Sequence, residues 1–248
     1  MNWSRARLKE MARTALHGSY WRSVLVAFIL LLITGGTSVI SSANNVSDNI
    51  SSGNSGDIFS TYGSFQISGA FLAALLISVV TAGIIAVALG IFVLNPLEVG
   101  CKNYFRKDIF APQSLDSLGA GFQGNYLNVV KTIFLRDLYI FLWSLLLIIP
   151  GIVKAYEYMM VPYLLSEDPS MPTEEAFARS KAMMDGEKWN VFVLDLSFLG
   201  WNILGACTLG ILTVFYVAPY QYLTHAALYG ALKQKMMRMG YDGQTYTY

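Results

Sequence analysis

The stretch Phe141-Leu142-Trp143-Ser144-Leu145-Leu146-Leu147-Ile148-Ile149-Pro150-Gly151-Ile152 decides the fold. An apolar run without a single charge ends at Pro150-Gly151, and a second run, Ile152 to Leu165, follows with Lys154, Glu157 and a Pro162-Tyr163 step inside it. Next comes a charged, helix-like segment, 172–185, closed by Gly186-Glu187-Lys188-Trp189, after which the chain turns apolar again. The order reads as membrane helix, turn, membrane helix, surface helix and return. Pro150-Gly151 admits two readings, a tight turn between two helices or a kink in one.

Composition points the same way. Only 13% of the 248 residues are charged, against about 25% in a soluble domain. The deficit lies in the long apolar stretches, so a bilayer is the solvent the sequence is written for. Nucleic acid is a poor partner, because no basic stripe is interleaved with aromatics. Cys101 and Cys207 lie in separate apolar segments without metal-ligand spacing and read as packing residues.

Working outward, residues 4–17 form an amphipathic helix: Arg5, Lys9 and Arg13 recur on one face and Leu8, Met11, Ala12 and Ala15 on the other. It is expected to lie on anionic lipid headgroups. Span 1 covers 23–42. A secretory-signal reading, with cleavage at Ser41-Ser42-Ala43, is disfavoured by the long structured segment before the apolar run. Residues 43–68 are rich in Ser, Asn and Gly, carry no Lys or Arg, and read as an extracellular loop. Span 2 covers 69–95, span 3 127–149, span 4 152–165, span 5 190–205 and span 6 209–230, with the surface helix 172–185 between the fourth and fifth. Lys102, Arg106, Lys107, Arg179, Lys181, Lys233 and Lys235 place the intervening connections and both termini in the cytoplasm. The expected fold is therefore all-α, a polytopic transmembrane bundle of six spans in three helical hairpins with amphipathic interfacial helices.

A degenerate threefold repeat supports the turn reading of Pro150-Gly151. Each odd span is entered through a glycine and an aromatic or leucine: Gly18-Ser19-Tyr20-Trp21, Gly124-Asn125-Tyr126-Leu127 and Gly186-Glu187-Lys188-Trp189. Gly18, Trp21, Gly124, Gly186 and Trp189 are thus expected interfacial anchors. Each even span carries a proline near its inner end, Pro96, Pro162 or Pro219, which removes a backbone hydrogen bond and bends the helix.

These residues, together with Ala176 to Ser180, Leu196-Ser197-Phe198-Leu199-Gly200-Trp201 and Pro219-Tyr220, resemble a bacterial integral membrane family common in Firmicutes and known as domain of unknown function 975. A weaker similarity, confined to the Pro-Gly turn and the Ala…Ser…Gly…Trp segment, links the chain to membrane domains fused to glycerophosphodiester phosphodiesterases, without their catalytic domain. The resemblance implies a bacterial plasma membrane and transfers no catalytic residue.

Ionisable side chains inside spans are functional candidates by default. They are Arg136, Asp137, Lys154, Glu157 and Asp195. Counted from their leading glycines, Arg136 and Asp195 differ in depth by roughly 5 Å, so the geometry allows a pair between them. Lys154 and Glu157 share a helix face. His225 has no second His or Cys at ligand spacing and reads as a packing residue; no metal and no cofactor is expected. The Gly119 to Gly124 match to G-x-G-x-x-G follows no strand and carries no weight. The expected function is a non-enzymatic membrane scaffold, partnered by lipid, another membrane protein or a second copy. The alternatives are a transporter or channel using the buried charges and, more weakly, a lipid-headgroup enzyme.

Overall fold

The computed structural model describes residues 3–51, 69–208 and 210–238, with side chains throughout these ranges except at 34–51 and 69–76. The described residues are helical and include no strand. The elements are α1 (Arg5–Ser51), α2 (Gly69–Leu89), a π-helical turn (Gly90–Leu94), α3 (Asn95–Asp108), a 3-10 segment (Leu115–Phe122), α4 (Tyr126–Leu146), α5 (Ile148–Glu157), α6 (Val161–Glu167), α7 (Thr173–Met184), α8 (Lys188–Cys207), a second π-helical turn (Thr213–Val217) and α9 (Ala218–Arg238). Among the described residues, three helical stretches, Arg5–Ile33, Ile77–Asp108 and Lys188–Cys207, are long and apolar enough to cross a membrane.

The glycines and prolines singled out in the sequence stand at helix boundaries or defects. Gly124 and Gly186 adopt φ of +71° and +70°, two residues before α4 and α8 begin. In the first copy the break falls on Ser19, beside Gly18, where φ is −137° and ψ 28°. Pro96, Pro162 and Pro219 each occupy the second position of a restarted helix, α3, α6 and α9. A proline in a helix leaves the carbonyl four residues earlier without its donor. Two of these carbonyls are recovered from afar. The Tyr126 hydroxyl donates to Phe92 O, and the Tyr20 hydroxyl donates to Phe215 O at 3.0 Å. Tyr20 and Tyr126 are each the second residue after a leading glycine. In the third case Val161 N donates to Tyr158 O at 3.2 Å, closing the turn between α5 and α6.

The restarted helices converge. α3 packs against α6 and α9, with Tyr163 stacked on Tyr229 at 5.2 Å between ring centroids and Phe105 against Tyr222 at 5.6 Å. The 3-10 segment folds back along α3 at very short range. A Cβ on Gly100 would stand 1.9 Å from Leu118 O, and one on Gly121 1.8 Å from Pro96 O, so both positions require glycine. α3 and α7 carry acidic residues in the first turn (Glu98; Glu174, Glu175) and basic ones in the last (Arg106, Lys107; Lys181), complementing the helix dipole.

Several expectations are corrected. The chain reverses at Leu147 (φ −156°, ψ 137°), three residues before Pro150; Pro150 and Gly151 lie in the first turn of α5. Gly151 marks where α5 meets α4, since a Cβ there would be 2.3 Å from Ser144 Oγ. The expected fourth span, 152–165, is two helices of ten and seven residues, because Pro162 forbids continuation from Tyr158. Span 2 runs on through the π turn into α3, and span 6 continues to Arg238. α1 extends to Ser51, into the expected 43–68 loop, and the rest of that loop, 52–68, lies outside the described residues. Finally, the apolar stripe of the N-terminal amphipathic helix is covered by protein: Leu8, Ala12 and Leu16 are buried in the core shared with α9, so this face does not enter lipid.

Candidate functional site

The ionisable residues of the apolar segments fall into three separate clusters. The first joins α3 to α4. Arg136 donates to both oxygens of Glu98, Nη1 to Oε1 at 3.1 Å and Nη2 to Oε2 at 2.8 Å, and its Nε donates to Asp137 Oδ1 at 2.9 Å. Such a fork fixes orientation as well as charge. One turn after Glu98, Lys102 places its ammonium 4.9 Å from the Tyr222 ring centroid and 5.4 Å from that of Tyr163. The aromatic faces stabilise a cation withdrawn from water. Arg136 is therefore not paired with Asp195. Depth counted from the leading glycines does not say which helices are neighbours: α4 packs on α3 and α5, whereas α8 packs on α5 and the π turn before α9.

The second cluster ties α5 to α8. Glu157, 3% exposed, accepts from Lys154 on Oε1 and from Lys188 on Oε2, each at 2.9 Å. Lys154 and Glu157 thus neutralise one another as their spacing allows, with Lys188 as a second cation. Ser180 of α7 spans the break beside them: its hydroxyl donates to Glu157 O at 2.7 Å and accepts from Met160 N at 3.3 Å. In the third cluster Asp195 of α8 meets His225 Nε2 of α9 at 2.7 Å and accepts from the Tyr156 hydroxyl at 3.0 Å.

Further ties close the bundle. Asp108, 2% exposed, accepts from the hydroxyls of Ser19 and Ser23 on α1 and from Gln113 N. Glu187, between α7 and α8, accepts from Trp3 Nε1 at 3.1 Å, Lys235 Nζ at 2.5 Å and Asn190 Nδ2 at 3.0 Å. Burial alone would raise the Glu187 carboxyl, but these three donors hold it below its ordinary value. Asp108 and Glu187 each tie together elements distant in sequence. Trp21 and Trp189 are 72% and 71% exposed, as residues set against a membrane interface would be. Among the described residues no group of three or more His, Cys, Asp or Glu could hold a metal ion.

Residues 114–236, about half of the chain, match the family described as "Protein of unknown function (DUF975)". The chain belongs to the DUF975 family. The chain matches no curated protein and no solved structure. The DUF975 segment contains Arg136, Asp137, the Glu157 cluster and the Asp195–His225 pair. Glu98, Lys102, Asp108 and the N-terminal helix that complete the network lie before it.

Glu98, Lys102 and Asp108 are the functional-grade residues that sequence reading missed. A signal was present: Glu98 and Lys102 stand at i, i+4 in an apolar context directly after Pro96. Treating the region as a cytoplasmic connection hid them.

Proposed function

We propose that this protein is a non-enzymatic membrane scaffold, a rigid helical body that presents surfaces to lipid and to other membrane proteins. One observation carries the reading: the charges that could have lined a pathway are consumed in pairs between helices. A solute pathway needs ionisable groups facing a water-filled cavity. Here Arg136, Glu157 and Asp195 face Glu98, two lysines and His225 respectively.

The proposed topology is that of three hairpins in a bacterial plasma membrane, with both termini cytoplasmic. α5 folding back on α4, and the three stretches long enough to span, support it. A repeat is supported by two contacts in which the second residue after a leading glycine serves the proline break of another hairpin, Tyr126 for Pro96 and Tyr20 for Pro219.

A transporter reading has one observation in its favour, the contact of three proton-bearing groups in Tyr156, Asp195 and His225. Proteoliposomes separate the two. The scaffold reading expects no proton or potassium flux above protein-free vesicles, together with a discrete complex on cross-linking in native membranes. A flux abolished by Asp195→Asn would overturn it.

A further inference from the structure

The start of α1 packs along α9, and where their seam opens the tip of α3 completes a cavity of about 150 Å³. Its floor is made of short side chains on α9, among them Ala226, Gly230 and Ala231. A Cβ on Gly230 would meet no atom within 4 Å, so the space above that turn is open. Arg7, Lys235 and Arg238 stand in the wall, and among the described residues no Asp or Glu lines it. Lys235 is bound to Glu187 at 2.5 Å. Arg7 and Arg238 are exposed and enter no ion pair among the described residues. The wall therefore carries two cations that nothing in the described chain balances. Beside them the lining turns apolar, from the buried Leu8 to Phe110, which is 77% exposed.

Size and depth narrow the ligand. Sites that enclose a drug-sized molecule measure about 300–1,000 Å³, so this cavity suits a compact head whose remainder lies outside. A guanidinium fork matches phosphate oxygens, and two of them balance a phosphomonoester of charge about −1.5 to −2. Glu187 holds Trp3 as well as Lys235 of the wall, and it lies two residues before the exposed Trp189. That contact sets the cavity at the level of an expected interfacial anchor, where basic pockets between helices meet lipid heads.

We propose that this cavity binds the phosphate of an anionic lipid, a phosphomonoester head held by Arg7 and Arg238 with its chains leaving past Phe110. The proposal rests on the membrane placement in the preceding reading and not on the absence of transport. A measured flux would overturn the scaffold and leave this site standing.

The test is native mass spectrometry of the full-length protein in detergent, titrated with dioleoyl phosphatidic acid, dioleoyl phosphatidylcholine or inorganic phosphate. One phosphatidic acid should be retained about tenfold more tightly than phosphatidylcholine, and millimolar inorganic phosphate should not displace it. Arg7→Gln and Arg238→Gln should each weaken binding about tenfold. Arg5→Gln removes an equal charge from the same helix outside the cavity and should leave the affinity unchanged. Gly230→Leu, which fills the open space, should abolish binding while the helical circular dichroism is unchanged. Equal retention of the two lipids, equal losses in Arg5→Gln and Arg7→Gln, or undiminished affinity in Gly230→Leu would each overturn the site. Displacement of the lipid by inorganic phosphate would overturn the lipid as its source.

Discussion

The two ends of this molecule are both helical and follow opposite logic. At one end, α2 and the π turn after it present Ile77, Ile84, Val87 and Phe92 outward, and the window has a mean hydropathy of 2.7 with none of it buried. The tips of α4, α5 and α8 behave alike, with Leu145, Ile149 and Ile203 exposed. At the other end, where α3, α6 and α9 meet, Tyr104, Phe105, Tyr163 and Leu228 are sealed from solvent alongside Glu98, Asp108 and Glu157. In water the first arrangement would be unstable and the second ordinary. In lipid, apolar faces gain nothing by meeting one another, so helices can stand apart there. The charge-rich end then has to hold the assembly together. The difference teaches that cohesion lies in the polar ties and in the packing around them, while the apolar faces supply only solvation.

Mutations at the two ends should therefore differ widely. Arg136→Ala leaves Glu98 buried without its cation and is expected to cost about 3–5 kcal/mol in denaturant unfolding from detergent. Ile84→Ala, on an exposed apolar face, should stay within about 0.5 kcal/mol; a comparable loss there would break the contrast. Tyr20→Phe removes the hydroxyl that donates to the Phe215 carbonyl, and should cost about 0.5–1.5 kcal/mol. A smaller effect comes from pH. The folded Glu187 carboxyl titrates below its ordinary value of 4.5, so its contribution is complete above that value and is lost as the pH falls through the lower, folded one. Glu187→Gln should flatten this acid limb and leave stability near neutrality little changed in slope.

What could be read in the chain beforehand was the punctuation. Gly124, Gly186 and the three prolines announce boundaries because their backbone chemistry is local. The all-helical class and the three stretches long and apolar enough to cross a membrane follow from uninterrupted apolar runs. The partners of the charges did not follow. Counting from a leading glycine gives the depth of Arg136 and Asp195 but not which helices are neighbours, and α4 packs on α3 and α5 whereas α8 packs on α5 and the π turn before α9. The reversal at Leu147 has no glycine or proline of its own, so the nearby Pro150-Gly151 attracted it. The stripe Leu8, Ala12, Leu16 looks identical whether it meets acyl chains or α9. Periodicity reports that a face is apolar and is silent on what covers it.

The most direct measurement is a double-mutant cycle on Glu98→Ala and Arg136→Ala, with Arg136→Ala and Asp195→Ala as the reference cycle. If the buried charges are ties between helices, the first pair shows a coupling of about 0.5–3 kcal/mol and the reference pair adds to within about 0.5 kcal/mol. Additive losses for Glu98 and Arg136, or strong coupling between Arg136 and Asp195, would contradict the paired network on which the scaffold reading stands.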